Sequence, residues 1–412
     1  MSICGVETIR TSELPNLIFV LLHTTDGLVG LGETYYGSAA VEAHVHEALA
    51  PKLLGLASPD PAAVAELTTG YVGYLGTGVE MRARSALDLA VWDLTAQLQA
   101  IPLADLLGRR RTSLPIYNTC AGREYMRRPL GQRSENWGLA DGQYEDLNRF
   151  PLDPEGLAQD FLASGVSAMK VWPLDTLAER LAGRTPTEQE IENALAPVRR
   201  IRDAVGDQIE IILEMHALWS PQACQVILPT LGKYHPYWVE DPIRPDHAEA
   251  MVRLRKHGGV RVASGETLGA ADAYLPLLEQ GAIDIAIMDV GWCGGISEAL
   301  QLSAHCQDSG VPLTLHDCSG PVVLAASTQL AMHLPSAFIQ ETTRAYYHGW
   351  YQGLVDGLPT IEQGTISSSP LPGLGITLRP EFLHAATTLR TITGRRSTHQ
   401  SDGLTPATIS RF

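Results

Sequence analysis

The chain has 412 residues, of which 45% are hydrophobic and 18% are charged, a composition typical of a globular protein and unlike that of a disordered chain. A single core rarely serves more than about 300 residues, so we expect one large domain and one smaller domain. The net charge is −16 without a basic block, and no apolar run approaches the roughly 20 residues of a membrane helix. Because the six cysteines are scattered and no signal peptide is visible, we expect a cytoplasmic protein that binds neither nucleic acid nor membranes.

The first third of the chain predicts a mixture of strands and helices. Residues 17–33 read as two strands joined by a turn at Asp26-Gly27, which is a strong hairpin signal. Residues 81–100 carry apolar side chains at helical spacing and predict an amphipathic helix. We therefore expect an α+β domain over residues 1–113.

From residue 114 onward, short apolar runs alternate with helical stretches. The eight runs are 114–120, 167–172, 209–215, 237–241, 261–266, 283–289, 311–317 and 336–342. Continuous apolar runs separated by about one helix each are typical of buried parallel strands. The pattern predicts an α/β fold, a (β/α)₈ barrel over residues 114–355. The alternative is an open doubly wound sheet, which is disfavoured because no Gly-rich phosphate fingerprint follows the first strand.

Two segments lie outside this repeat. Residues 123–150 form a long polar insert after the first barrel strand, and loops of that length are usually functional lids or partly disordered. Residues 356–380 are rich in Gly and Pro, so the chain should leave the barrel there. We expect residues 356–412 to return to the N-terminal domain and to end in a polar tail.

The reactive groups of such a barrel sit at the carboxyl ends of its strands, where seven of the eight runs carry ionisable residues. In strand order these residues are Lys170, Glu214, Glu240, Glu266, Asp289, His316 with Asp317, and Glu341.

Three consecutive runs end in glutamates separated by 26 residues each, namely Glu214, Glu240 and Glu266. Adjacent strands lie about 4.8 Å apart, so these carboxylates would crowd together and repel each other unless a cation joined them. An all-oxygen set suits Mg²⁺. The alternative, three separate surface glutamates at loop mouths, is disfavoured by their common register.

Asp289 and His316 end neighbouring strands six and seven. A carboxylate beside a histidine fixes the tautomer of the ring and raises its basicity, so this pair is a candidate general base. The alternative is a core histidine that serves only packing.

Three further residues each have more than one interpretation. His216 shares a strand face with Glu214 and is either an acid near the metal or a residue that only orients Glu214. Lys170 either neutralises a substrate carboxylate or acts as a base, or it forms a structural salt bridge. Glu341 either donates a hydrogen bond to the substrate while protonated or pairs with Arg344.

These residues and several motifs resemble the enolase superfamily, and within it the mandelate racemase subgroup, over roughly residues 15 to 380. The motifs are GLVGLGE (27–33), ARSALDLAVWDLTAQ (83–97), IPLADLLG (101–108), VEDPI (239–243), SGET (264–267) and HDCSGP (316–321). The resemblance implies an N-terminal α+β capping domain over a modified (β/α)₈ TIM barrel, and a symmetric homo-oligomer, which we expect to be a dimer or an octamer.

The resemblance also implies roles for the residues at the strand ends. The three glutamates would bind one Mg²⁺ per subunit, and Asp289–His316 would be the base dyad. Glu341 would help to hold the carboxylate or the enolate of the substrate.

Two departures from the family pattern bear on the reaction. Where the racemases have Lys-x-Lys, this chain has Lys170-Val171-Trp172, so the second base is missing and simple racemisation is disfavoured. Trp172 would instead form a wall of the pocket. The Glu214-x-His216 pattern resembles the acid-sugar dehydratases of the subgroup, in which the histidine is the general acid.

The sequence therefore predicts a Mg²⁺-dependent dehydratase of a small anionic sugar acid, an aldonate or an aldarate. The proton α to the carboxylate is abstracted, an ene-diolate forms, and loss of the 3-hydroxyl gives a 2-keto-3-deoxy acid. Alternatives are an epimerase, racemase or cycloisomerase that uses the same enolate, and a non-catalytic metal-binding relative. Candidates for substrate selection in the capping loops are Tyr35, Tyr36, Tyr71 and Tyr74.

Overall fold

The structure is a computed structural model, which describes residues 1–70, 76–125, 127 and 133–397 and the backbone of 409–410. Within these ranges, no helix combines the length and the apolar character needed to cross a membrane.

A closed barrel of eight parallel strands forms the larger part of the molecule. These strands are β4 (Leu114–Thr119), β5 (Ala168–Val171), β6 (Glu210–Glu214), β7 (Trp238–Glu240), β8 (Val262–Ser264), β9 (Ile285–Met288), β10 (Leu313–Leu315) and β11 (Ala337–Thr342). The strands pair in sequence order, and β11 closes the ring on β4. Each strand lies inside the run that the sequence predicts for it. The predicted (β/α)₈ barrel is confirmed, and the alternative of an open sheet is wrong because the first and last strands are paired.

Helices connect the strands and cover the outside of the barrel. They are α6 (Asp146–Leu152), α7 (Pro154–Ala163), α8 (Asp175–Leu181), α9 (Glu188–Ala194), α10 (Ala196–Val205), α11 (Pro221–Gly232), α12 (Ala248–His257), α13 (Leu275–Glu279), α14 (Ile296–Ser309), α15 (Pro321–Ala331), α16 (Arg344–Tyr347) and α17 (Tyr351–Leu354), with 3₁₀ turns at Ser134–Asn136 and Ala271–Tyr274. Every residue of α15 is buried, because this helix packs between the barrel and the N-terminal part of the chain.

The N-terminal region is an antiparallel sheet covered by helices. Its strands are β1 (Ile3–Thr11), β2 (Leu14–Thr24) and β3 (Val29–Tyr35), and its helices are α1 (Ser38–His44), α2 (Ala50–Leu53), α3 (Pro61–Thr68), α4 (Val79–Leu98) and α5 (Leu103–Leu107), with a π-helical turn at Val45–Leu49. The predicted hairpin and the predicted helix are confirmed as β2–β3 and α4. Gly30 and Gly32 let α4 lie directly on β3, since a Cβ atom there would fall 2.1 Å from the carbonyl oxygen of Ala90 and 1.8 Å from that of Ala86.

The C-terminal segment leaves the barrel and joins the N-terminal sheet. Its elements are β12 (Val355–Asp356), β13 (Thr360–Glu362), β14 (Thr365–Ser367), β15 (Thr377–Leu378), α18 (Pro380–Leu383), β16 (Thr388–Gly394) and β17 (Ile409–Ser410). The β13–β14 hairpin pairs with the start of β4, and β16 pairs with β1 in the N-terminal sheet. The domain boundaries after residues 113 and 355 stay predictions.

Two consecutive residues of β3 fasten the N-terminal region to the mouth of the barrel. The Thr34 hydroxyl donates a hydrogen bond of 2.6 Å to the carbonyl of Gly291, in the loop after β9. The buried carboxyl of Glu33 accepts the backbone N–H groups of Val322 and Val323 at the start of α15, at 3.2 and 3.1 Å. The N-terminal region therefore lies against the loops that follow β9 and β10.

Candidate active site

A cavity of about 280 Å³ opens at the carboxyl ends of the barrel strands, where parallel barrels carry their reactive groups. Most of its wall comes from the barrel loops, and the N-terminal region contributes Tyr36 and Arg82. The cavity is lined by seven of the residues that the sequence predicts for the site, which are Tyr36, Lys170, Trp172, His216, Glu266, His316 and Glu341.

Three predicted metal ligands converge at one point of the barrel mouth. Glu214, Glu240 and Glu266 each present a carboxylate oxygen within 4.8 Å of the others, and all three side chains are buried. Burial raises the pKa of Glu240 to about 8; Lys170 opposes this rise, whereas the negative charges of Glu214 and Glu341 add to it. The buried Oε2 atom of Glu214 accepts no hydrogen bond, although Lys170 Nζ lies 3.3 Å away. An all-oxygen cluster with a surplus of negative charge fits a divalent cation such as Mg²⁺.

Lys170 lies at the centre of the buried carboxylates. Its Nζ atom is 2.5 Å from Glu240 Oε1, 2.8 Å from Glu341 Oε1 and 3.3 Å from Glu214 Oε2. Burial lowers the pKa of the ammonium, but Glu240 and Glu341 outweigh it and hold the pKa well above its ordinary value. Lys170 is therefore a fixed positive charge whose contacts are, in this structure, the surrounding glutamates.

The predicted contact between Asp289 and His316 is present. His316 Nδ1 lies 2.7 Å from Asp289 Oδ2, and both side chains are buried. The other oxygen of Asp289 accepts the backbone N–H of Gly291 at 2.7 Å, and the Ser319 hydroxyl donates to Oδ2 at 2.6 Å. Because its position is fixed from both loops, the carboxylate directs Nε2 of the imidazole toward the cluster, where it lies 3.5 Å from Glu266.

The charge around His316 favours its protonated form. Burial lowers the pKa of the imidazole, but the acidic side chains of Glu266, Glu341 and Asp289 outweigh burial and raise it to about 10. The basicity of this ring is therefore set by the carboxylates that surround it.

His216 belongs to a second histidine–aspartate pair that the sequence reasoning missed. Its Nδ1 atom lies 2.7 Å from Asp175 Oδ2, while its backbone N–H donates to Glu214 Oε1 at 2.7 Å. Burial lowers the pKa of the ring, but Asp175 and Glu214 raise it to about 10. His216 also has a left-handed backbone with φ of 46°, a strained conformation typical of functional sites. The imidazole lines the cavity, and the backbone orients Glu214.

The two pairs stand on opposite sides of the barrel. Asp175 and His216 follow β5 and β6, whereas Asp289 and His316 follow β9 and β10, four strands away in a ring of eight. A molecule in the cavity would have one imidazole on each side.

Glu341 does not form the salt bridge with Arg344 that the sequence allowed. Arg344 instead pairs with the buried Asp146, at 2.5 Å. The Glu341 carboxylate accepts hydrogen bonds from Lys170, from the hydroxyl of Thr119 and from the backbone N–H of Asp317. Burial raises the pKa of Glu341, but Lys170 and His316 lower it below the usual range. Glu341 is therefore ionised and accepts hydrogen bonds in this structure, whereas the predicted donation of a hydrogen bond to a substrate would require a protonated carboxyl.

Aromatic side chains line the outer part of the cavity. Trp172 packs 5.1 Å from the ring of His216 and lies close to Tyr125 and Trp137 of the predicted insert.

The four predicted tyrosines differ in position. Tyr36 lines the cavity, and Tyr35 is buried behind it with its ring centre 4.3 Å away. Tyr71 and Tyr74 lie outside the described residues.

Sequence reasoning also missed Arg82 and Trp292, which line the cavity together. A signal existed for Asp175 and Trp292, because each lies four residues beyond the end of a barrel strand, Asp175 at the start of α8 and Trp292 in the loop after β9. No comparable signal marks Arg82, which lies on a helix of the N-terminal region.

Two family models match the chain. The model for the N-terminal domain of the mandelate racemase/muconate lactonizing enzymes matches residues 5–108. The model described as enolase C-terminal domain-like matches residues 155–382, which is more than half of the chain.

Solved structures and curated relatives agree with these models. An enolase of the mandelate racemase subgroup from Agrobacterium tumefaciens is 35% identical, with a TM-score of 0.85 over 96% of this chain and 99% of that one. A D-galactonate dehydratase of Ralstonia pickettii is 27% identical over 91% of this chain and 92% of that protein. A D-gluconate dehydratase of Thermoproteus tenax is 27% identical over 73% of this chain, which spans 55% of that relative's length.

Proposed function

Because this chain belongs to the enolase superfamily and to its mandelate racemase subgroup, we propose that it is a hydro-lyase that dehydrates an acid sugar. Relatives named as D-galactonate, D-gluconate and D-xylonate dehydratases support this reaction class. The observation that carries the proposal is the pair of histidine–aspartate dyads facing one cavity beside three clustered glutamates. Dehydration needs a base and an acid, and the two imidazoles offer one of each.

Glu214, Glu240 and Glu266 would hold one Mg²⁺ per subunit. When bound, the ion would stabilise the negative charge that develops on the substrate carboxylate as the α-proton leaves. The residues around the cluster keep its geometry, since Trp238 Nε1 donates to Glu240 Oε2 at 2.9 Å.

His316 would remove the proton from the carbon α to the carboxylate. Nδ1 faces Asp289, so Nε2 is the nitrogen that would take this proton, once a cation bound at the glutamates offsets the acidic charge that favours the protonated ring. Asp289 would hold the ring in place and stabilise the imidazolium that forms.

His216 would then give a proton to the 3-hydroxyl, which leaves as water. The C–O bond breaks as the electron pair from the C–H bond forms the double bond, and the resulting enol becomes a 2-keto-3-deoxy acid. Asp175 sustains the protonated form of His216 that this step requires, because it lies 2.7 Å from Nδ1. Lys170 and Glu341 would help to position the substrate carboxylate.

The test is a screen of aldonates and aldarates with Mg²⁺, read out for keto-acid formation and followed by NMR in D₂O. We expect loss of water and the gain of one deuteron at C3 of the product. Deuterated substrate without any keto acid would overturn the proposal.

Epimerisation or racemisation is the second candidate. The sequence disfavoured racemisation because a second base was missing, but the His216–Asp175 pair supplies a candidate for that base. A base on each side of the substrate can exchange a proton between the two faces of one carbon, and His216 could replace the lysine that is absent at Trp172. The same NMR experiment separates the two reactions, because an epimerase gives an isomer of the substrate and releases no water. A cycloisomerase would likewise retain every atom of the substrate.

The cytoplasmic location and the homo-oligomer, a dimer or an octamer, stay predictions. Light scattering of the purified protein in solution measures the second of these directly, and a monomer would contradict it.

A further inference from the structure

Four basic side chains line the cavity, and three of them are paired with acids. Lys170 contacts three glutamates, His216 pairs with Asp175, and His316 pairs with Asp289. The fourth is Arg82, and no carboxylate of the described residues lies within ion-pair distance of its guanidinium. Arg82 is therefore the cation in this wall that forms no ion pair with an acid of the described residues, although Asp289 is near enough to favour its charged form.

The contacts of Arg82 leave most of its donors available. Nη1 donates to the backbone carbonyl of Tyr35 at 2.7 Å. The guanidinium carbon lies 4.6 Å from the ring centre of Trp292 and 5.4 Å from that of Tyr36. These contacts fix the plane of the group on two aromatic faces and use one of its five N–H donors. A rigid fork with free N–H groups is the geometry that binds a carboxylate through two hydrogen bonds.

Arg82 also lies near the proposed base His316. The ring of Trp292 is near both Arg82 and His316, since its centre lies 4.6 Å from the guanidinium carbon and 5.0 Å from the ring of His316. A six-carbon acid has five C–C bonds of about 1.5 Å each, so one end can lie at the glutamate cluster while the other extends toward Arg82 in the same cavity.

We propose that Arg82 binds the second carboxylate of a sugar diacid, so that the substrates of this enzyme are aldarates rather than aldonates. The inference rests on the proposed dehydration and names its substrate class. The wall of the cavity is rich in acids, including Asp175, Asp241 and Glu341, and would repel a second anionic group unless a cation received it. The hydroxymethyl end of an aldonate needs no such cation and would leave the half-buried Arg82 without an ion-pair partner.

The rival explanation is that Arg82 only clamps Tyr36 and Trp292 in place. A clamp would affect every substrate alike, whereas a carboxylate receptor would discriminate between two substrates that differ at one end. Galactarate and galactonate are such a pair, as are glucarate and gluconate, because each pair differs only in whether C6 is a carboxylate or a hydroxymethyl group.

The experiment measures kcat and KM for both pairs with wild type, Arg82→Gln and Arg82→Lys. We expect wild type to prefer the diacid, and Arg82→Gln to lower kcat/KM for the diacid by about 10- to 100-fold, mainly through KM, as for a lost charged hydrogen bond. The kcat/KM of Arg82→Gln for the monoacid should change by less than about threefold. Arg82→Lys should lie between, since it keeps the charge without the fork.

Arg84→Gln is the matched control. Arg84 lies on the same helix and pairs with Glu298 at 2.9 Å, outside the lining of the cavity. In this control variant, kcat/KM for the diacid and for the matching monoacid should change by the same factor. Thermal unfolding of every variant shows whether a loss of activity reflects a loss of folded protein.

A binding measurement separates this inference from the proposed reaction. In a His316→Asn background, titration calorimetry with Mg²⁺ gives the Kd of each diacid and monoacid without turnover. If Arg82→Gln weakens only the diacid, the inference holds even when no dehydration is found, and the reaction alone is wrong. If Arg82→Gln weakens both acids equally, or wild type prefers the monoacid, the inference is overturned while the dehydratase proposal stands.

Discussion

The two faces of the cavity are built differently. The barrel face carries acids and bases that contact one another at the ends of rigid strands, as in the Lys170–Glu240 and His316–Asp289 pairs. The N-terminal face contributes Tyr36 and Arg82, which contact aromatic rings and a backbone carbonyl. Charges that are mutually fixed are suited to moving protons, whereas a charge without an acidic partner is suited to binding an anion.

The junction between the two faces explains how they keep their relative positions. Thr34 and Glu33 of β3 bind the loop after β9 and the helix after β10. The loop after β9 also carries Asp289, and the loop between β10 and α15 carries His316. The N-terminal region is therefore attached to the same loops that carry the proposed base, so substrate selection and proton transfer share one support.

The largest expected effect is on the barrel face, in His316→Asn. Exchange of the α-proton should fall by about 10²–10⁴-fold, because the base that removes it is lost. Mg²⁺ binding should be unchanged, since the three glutamates remain. Deuterium incorporation measured by NMR checks the loss of exchange, and calorimetric titration with Mg²⁺ checks that binding of the ion is unchanged. Normal turnover of an identified substrate in this variant would show that His316 is not the base.

His216→Asn should distinguish the role of the His216–Asp175 dyad from that of the His316–Asp289 dyad. Keto-acid formation should fall by about 10²-fold or more because the acid that protonates the leaving hydroxyl is missing, while deuterium exchange at the α-carbon continues. The measurement follows both signals in one D₂O reaction. Equal loss of both signals would mean that the two histidines act in the same step.

Glu33→Gln tests the junction through the pH dependence of stability. Burial raises the pKa of Glu33 from its ordinary 4.5 to about 8, so between these pH values the folded protein holds a proton that the unfolded chain has released. This carboxyl therefore lowers the stability of the wild type by up to about 1.4 kcal/mol per pH unit as pH rises through that window. The variant should lose stability less steeply between about pH 5 and 8. Thermal unfolding of both proteins across this range checks the slope, and parallel curves would contradict the assignment.

The smallest expected effect is that of Arg84→Gln. Its salt bridge with Glu298 joins α4 to α14 at 2.9 Å, with side chains 17% and 10% exposed. Its removal should cost about 1 kcal/mol of unfolding free energy or less. Substrate preference should not change. A shift in preference between a diacid and its monoacid would mean that α4 as a whole, rather than Arg82, sets the selection.

Much of the barrel face could be predicted because it follows from local patterns. Continuous apolar runs predicted the strands, and the ends of parallel strands meet on one rim. The convergence of Glu214, Glu240 and Glu266 follows from that rule and from their equal spacing. The contact between Asp289 and His316 follows from the order of strands six and seven.

Other parts could not be predicted, for physical reasons that differ from residue to residue. Asp175 lies five residues beyond Lys170, and the path of that loop, rather than the strand order, brings it to His216. Tyr35 and Tyr36 are adjacent, yet the turn at the end of β3 places one in the core and the other at the cavity. The pairing of Glu341 with Arg344 that the sequence allowed does not form, because Arg344 pairs with the distant Asp146 and Glu341 contacts Lys170 instead.

The sequence by itself determined the barrel, the glutamate cluster and the contact between Asp289 and His316, because strand order and period fix which residues share a rim. Only the tertiary structure decided that Arg82 stands at the same cavity. Its place depends on the packing of α4 against β3 through Gly30 and Gly32, and on the attachment of β3 to the loops after β9 and β10. Contacts between segments this distant in the chain leave no periodic signal in the sequence, since they arise from how complete elements pack.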